Sequence, residues 1–328
     1  MEKIVYQCGV RLARNYADLP FDVRRNEENA LRCIQRVHGA LGSDVLLLRL
    51  GEMDALNARA LAESRRISPA LLEKAATSAV FLQEDSSLSV MVGGWDHVQI
   101  RCVLPGCHLQ EAAQSCFDAD DRLSRQGSFA FDPELGYLTA SPADAGTGMR
   151  ATVMLHLPLL AKDESWKAAE DVAVREGLVL EASGHEDAND DSDLYALHNR
   201  GSLGRTEQET ITAVLTAARE IVEMEQQLRR RWLESRRAAL EDRIFRAWAV
   251  LNNARLLTAQ EFSACWSGAR LGAAMGLLPC TLTALDALPE QVCQAHLCLY
   301  AGERLENEDI DICRAERVRS MLATEGNE

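Results

Sequence analysis

Apolar positions recur along this chain at two spacings, and the balance between them shifts once. Over the first two hundred residues, short apolar runs bounded by turn residues predict strands at Val45–Leu50, Ala79–Leu82, Leu88–Val92, Val98–Val103 and Met149–His156. Glu27–Leu41, Leu109–Arg125 and Ser165–Glu176 repeat their apolar residues every three or four positions, as amphipathic helices do. Hairpin-like breaks between the strands predict an antiparallel sheet carrying helices, an α+β layer.

Beyond Gly204 the strand spacing disappears. Thr206 and Glu209 form a capping-box signature. Ile211, Val214, Leu215, Ala218, Ile221 and Val222 then follow at helical spacing, and the helix is expected to run on through the charged stretch Glu223–Arg237. The rest reads as helices alone. The expected organisation is a mixed domain over residues 1–230 and an all-α domain over residues 231–328.

Composition narrows the classes. The chain has 328 residues, enough for two domains, and 47% of them are hydrophobic. No apolar run reaches membrane-spanning length, and the first residues lack a signal peptide's apolar centre. A cytoplasmic protein with no membrane partner is expected. With 50 acidic against 35 basic residues, the net charge of −15 argues against nucleic acid as a partner. The 10 cysteines include no Cys-x-x-Cys pair and read as buried hydrophobes. Cys293, His296 and Cys298 make an incomplete zinc set. Asp187–Asp193 resembles a calcium loop but has Ser192 at its glycine position and His198 at its closing glutamate. No intrinsic metal site is expected.

Four segments carry a resemblance: VRLARN (10–15), GYLTASPADAGTGMRATVMLHLP (136–158), LGRTEQE (203–209) and LEDRIFRAWAVLNNARLL (240–257). The chain resembles the ATP:guanidino phosphotransferase (phosphagen kinase) family and, within it, the bacterial protein arginine kinases. The resemblance implies a twisted antiparallel sheet with flanking helices, followed by a helical domain. It also implies transfer of the γ-phosphoryl group of ATP, with Mg, to an arginine guanidinium. Arginine forks would hold the phosphates, and carboxylates would hold the guanidinium and take its proton.

Compared with that pattern, the motifs are eroded. The first phosphate motif, Ser-Arg-x-Arg, is here Cys8-Gly9-Val10-Arg11, which retains one arginine. The motif Asn-Glu-Glu-Asp-His-x-Arg is here Gly93-Gly94-Trp95-Asp96-His97-Val98-Gln99. Trp95 replaces the expected base, and an indole neither accepts a proton nor balances a cation. Arg101 lies two residues beyond Gln99 on the same strand face. Asp96 and His97 fit the pattern, but equally a turn-stabilising Asp and a packed His.

Gly146-Thr147-Gly148-Met149-Arg150 fits the family well, and Ser141 stands where a reactive cysteine is common. The mobile-loop arginine is replaced by Glu181, and Glu186 falls at the second guanidinium clamp. In the helical domain, the phosphoarginine motif Arg-Asp-x-x-Arg-Ala survives as Asp311 and Arg314 after Ile310.

The resemblance thus implies Arg11, Arg65, Gln99, Arg101, Arg150, Met154 and Glu186 as nucleotide-facing positions. Glu186 and Asp96 are the candidate catalytic groups. Asp311 and Arg314 are the candidates for phosphoarginine. Losing the base and arginines while gaining Glu181 predicts weak or absent phosphotransfer and too few cations for a triphosphate. The expected role is then regulatory, in protein quality control, with an active paralogue, an activator or a Clp-type unfoldase as partner and a homodimer as one possible state. The alternatives are a working kinase using Asp96, Glu186 and Asp187, and a module that only binds phosphoarginine.

Overall fold

Strand β1 (Val5–Arg14) shows how the sequence builds the sheet. Cys8, Val10 and Leu12 alternate with Gln7, Gly9 and Arg11; the first set is buried and the second half-buried. A strand sends successive side chains to opposite faces. One face of β1 therefore enters the core, and the other carries polar groups to a cleft. The computed structural model describes residues 1, 3–21, 26–85, 87–183 and 191–325.

In chain order, β1 is followed by α1 (Glu27–Leu41), β2 (Val45–Arg49), α2 (Ala55–Glu63), β3 (Ala79–Gln83), β4 (Leu88–Val92) and β5 (Val98–Pro105). Then come α3 (Leu109–Ser124), the short pair β6 (Phe131–Asp132) and β7 (Gly136–Tyr137), β8 (Met149–His156), α4 (Trp166–Arg175), β9 (Leu178–Ala182) and β10 (Leu194–Asn199). The sheet order is β2-β3-β4-β5-β1-β8-β10-β9, and every neighbouring pair is antiparallel. On the core face α3 packs on β1 and β5.

Helix α5 (Glu207–Ser235) begins at the predicted capping box, in which Thr206 Oγ1 accepts from the Glu209 N–H and the Glu209 carboxylate accepts from the Thr206 N–H. It packs on β8 and β10 and ends where Arg236 leaves helical geometry (φ −138°, ψ 31°), earlier than the charged stretch suggested. The remainder comprises α6 (Arg237–Asn253), α7 (Ala259–Ala274), α8 (Leu282–Gln291), α9 (Gln294–Ala301) and α10 (Glu308–Glu325). No helix among the described residues is long and apolar enough to cross a membrane.

The helices are fastened to the sheet by buried polar groups as well as by apolar packing. Asp193 accepts from Ser267 Oγ of α7 (2.6 Å) and Arg243 of α6 (2.8 Å), and pairs with Lys162 (3.0 Å). Ser267 also meets Nε2 of the fully buried His156 at 3.0 Å. Glu225 of α5 pairs with Arg229 at 2.8 Å and accepts from the Leu159 and Leu160 amides. A buried ion costs heavily unless paired and hydrogen-bonded, and these groups are both.

Candidate active-site cleft

The polar face of the sheet forms the floor of a cleft of about 860 Å³. Its floor comes from β1, β5 and β8, with Arg65 beside it; its roof comes from α7, the end of α8 and α10. Strand register fixes the floor. Arg11 lies directly opposite Arg101 of β5 on one side and Arg150 of β8 on the other. Like charges facing each other on neighbouring strands repel, so this row strains the sheet unless an anion offsets it.

The electrostatics reflect that arrangement. Burial, together with the Arg65 and Arg11 charges, pulls the Arg101 guanidinium down to about 10. The Nε atoms of Arg11 and Arg150 are buried without a hydrogen-bond partner. Arg11 has one carboxylate neighbour, Asp144, at 2.7 Å. Arg65 sits at a positive φ of 57° and reaches Met154 Sδ at 3.0 Å. Gln7 Nε2 reaches the same sulfur at 2.9 Å. Four of the arginines named from the sequence, Arg11, Arg65, Arg101 and Arg150, thus line the cleft together.

Carboxylates are scarcer. Among the described residues lining the cleft the only one is Glu63, and it is engaged. It accepts from the Ala295 amide (2.9 Å) and the His296 amide at the start of α9, and from His296 Nδ1 (3.1 Å). Burial pushes its carboxyl up, but these bonds outweigh that and leave it below its usual range. A carboxylate at a helix N-terminus is well stabilised, which leaves Glu63 a poor proton acceptor.

The remaining expected residues are dispersed. Asp96 does not line the cleft. It is 2% exposed, and its Oδ1 accepts from Asn15 Nδ2 and the Ala140 amide, both at 2.7 Å. His97 Nδ1 accepts from the Tyr16 amide (2.9 Å), so Nε2 carries the proton and donates to the Pro20 carbonyl (2.7 Å). The pair thus ties the end of β1 to the β4–β5 turn. Trp95 is exposed and outside the cleft lining. Glu181 does not line the cleft either, and pairs with His198 at 2.9 Å. Gln99 and Met154 do line it. Glu186 and Asp187 lie outside the described residues.

Arg314 lines the roof but donates to the Leu257 and Val292 carbonyls and to Asp311. His296 bonds Glu63, and the Leu305 amide donates to Cys298 Sγ. No metal-holding cluster of His, Cys, Asp and Glu occurs among the described residues.

The comparisons fit this geometry. Residues 28–228 match the model of the ATP:guanido phosphotransferase C-terminal catalytic domain. The chain belongs to the ATP:guanido phosphotransferase family. Residues 237–328 match the C-terminal domain of protein-arginine kinase McsB. A protein-arginine kinase of Pelotomaculum thermopropionicum is 35% identical over 98% of this chain and 93% of its own. Another, from Caldanaerobacter subterraneus subsp. tengcongensis, is 32% identical over 97% of each chain.

Among solved structures, lombricine kinase superposes with a TM-score of 0.61 at 20% identity, over 70% of this chain and 68% of its own. The substrate-free duplicated taurocyamine kinase from Schistosoma mansoni gives 0.62 at 21%, over 71% of this chain and 34% of that one. These likenesses carry the fold. Membership of a phosphotransferase family implies ATP use, for which the arginine row is chemically apt.

The sequence reading missed Asp144, Glu63, Gln7 and Thr152. Gln7 and Thr152 lie four and two residues from Arg11 and Arg150, on the same strand face, so extending the two-residue period would have found them. Glu63 and Asp144 act through long-range contacts that no local pattern announces.

Proposed function

We propose that this chain is a protein arginine kinase relative that binds phosphate groups of ATP but transfers them poorly or not at all, and acts as a regulatory partner. One observation carries the reading. The cleft concentrates guanidiniums, while Glu63, the one carboxylate among its described lining residues, is held by the start of α9, and Asp144 is paired with Arg11. Positioned acid–base groups contribute about 10²–10⁴ in rate, and a transition-state arginine about 10³–10⁵. Trp95 and Glu181 replace one of each relative to the family pattern. These losses need not multiply, because such groups act as a unit, but either one alone leaves a slow enzyme.

The regulatory role follows from retained binding without retained chemistry. The partner would be an active kinase of the family, its activator or a Clp-type unfoldase. The protein-arginine kinase names of its relatives support arginine-bearing proteins as the substrate class against which the chain should be tested.

The deciding experiment incubates the full chain with γ-labelled Mg-ATP and an arginine-rich protein, beside an active relative. Thermal stabilisation by Mg-ATP with no acid-labile label in the protein is expected. Label at a rate within tenfold of the active relative overturns the reading and directs attention to Glu186 and Asp187.

A further inference from the structure

The two edges of the main sheet are guarded differently. Strand β9 carries the charge of Glu181, which is bonded to His198, and α4 packs on it. Strand β2, at the other edge, reads Val45-Leu46-Leu47-Leu48-Arg49 and is hydrogen-bonded to β3 alone. Its register with β3 runs without a shift. Both its ends are extended, Val45 at φ −132°, ψ 143° and Arg49 at φ −87°, ψ 116°. Natural sheets keep an edge from pairing with prolines, bulges and charges. Strand β2 has only Arg49, which leans toward Glu52 at 3.8 Å.

The ladder fixes which backbone groups are free. The Leu50 amide donates to the Ser78 carbonyl, one step past the Arg49–Ala79 pair. Hydrogen-bonded pairs alternate along an antiparallel ladder. Leu46 and Leu48 therefore bond β3, while Val45, Leu47 and Arg49 turn their amides and carbonyls outward. Leu46 shares a strand face with Leu48, which packs on the small core around Leu82, yet Leu46 itself is 60% exposed.

We propose that β2 pairs with β2 of a second copy of this chain, antiparallel about a two-fold axis at Leu47, so that one sheet runs through both molecules. The strand is its own complement. Leu47 meets Leu47 and Val45 meets Arg49, and these are the residues whose backbone groups face outward. Between them, Leu46 stands against Leu48 of the second copy on the same face. That pairing covers Leu46 and joins the two small cores. Arg49 of the second copy arrives at Val45, whose β3 neighbour Gln83 leads into Glu84, so an arginine meets a carboxylate there. A ladder of five residues is a small contact, suited to a weak and reversible dimer. Two chains of net charge −15 repel each other, so salt tightens the dimer by screening them. Nothing in this contact depends on the chemistry of the cleft.

Sedimentation equilibrium of the full chain at rising concentration, with hydrogen exchange followed at single amides, tests this. The mass should climb from one chain toward two, and climb further in sodium chloride. The Val45, Leu47 and Arg49 amides should exchange several-fold more slowly in concentrated than in dilute protein. The Leu46 and Leu48 amides should be protected in both. Leu46→Lys, at an exposed position, should leave the melting temperature of dilute protein unchanged and abolish the rise in mass, whereas Leu46→Val should keep it. Leu299→Lys, on the exposed side of α9, should behave as the parent does.

A chain that stays monomeric at every concentration overturns the proposal, as does a dimer that persists in Leu46→Lys or one in which the Leu47 amide exchanges freely. Protection of that amide by an added apolar peptide, with the chain still monomeric, would assign the edge to a different protein and overturn it too.

Discussion

Arg11 and Arg101 stand directly opposite each other on neighbouring antiparallel strands, both facing the cleft. Such a pair makes the folded state sensitive to anions rather than to salt in general. Sulfate should raise the melting temperature more than chloride at the same ionic strength. A specific anion at about 100 times its dissociation constant adds about 2.7 kcal/mol. Equal shifts with both salts in a calorimetric scan would show that the row has no anion preference.

Asp96 should behave as a structural residue. Replacing it with Ala leaves the Ala140 amide and one Asn15 amide hydrogen without their buried acceptor. The cost should be roughly 2–4 kcal/mol, measured by urea unfolding. The shift on adding Mg-ATP, compared below the melting transition, should be unchanged. Loss of that shift in a still-folded D96A protein would return Asp96 to the binding site.

His156 gives a pH signature. Burial, aided by nearby cations including Arg270, holds its folded value well below the ordinary 6.5, and its Nδ1 is buried without a partner. The unfolded state therefore takes up a proton first as pH falls. The His156 contribution is complete above about pH 6.5 and is lost progressively on acidification toward the lowered folded value. The stability gap between the parent and His156→Gln should narrow by up to about 1.4 kcal/mol per pH unit between pH 6.5 and 5. A gap that is constant over that range would contradict the assignment. Using the difference removes the opposing effect of buried carboxyls such as Asp120, which burial raises.

Gly9→Arg, which rewrites the family motif, should not create activity. The new Cβ collides with the Cys102 carbonyl and the Val103 side chain, so overpacking of about 1–3 kcal/mol is expected. Thermal unfolding measures that cost, and the labelled-ATP assay checks for gain of transfer. A stable, transfer-competent G9R protein would mean that β1 and β5 part more easily than their register suggests.

Much of this architecture was legible in local patterns. Leu88–Val92 and Met149–His156 match the predicted strands at both ends, Glu27–Leu41 matches the predicted helix, and the Thr206 cap forms as read. β9 and β10 were not predicted. Leu178–Ala182 is short, Leu194–Asn199 contains polar residues, and their pairing is set by β8 from a distance. Motif comparison could set Gly9, Arg11, Gln99 and Arg150 against the family's arginines, but it could not show which residues of different strands stand opposite each other. Register did that, by aligning Arg101 with Arg11. The Glu63 bond to α9 spans more than two hundred positions of sequence and has no local signature.

The floor of the cleft belongs to the sheet and its roof to α7, α8 and α10. An occupant would therefore bridge the sheet and the helices, which are already joined at Asp193 and Glu63. Whatever fills the cleft touches strands and helices at once, so its binding should be readable as a change in the stability of both.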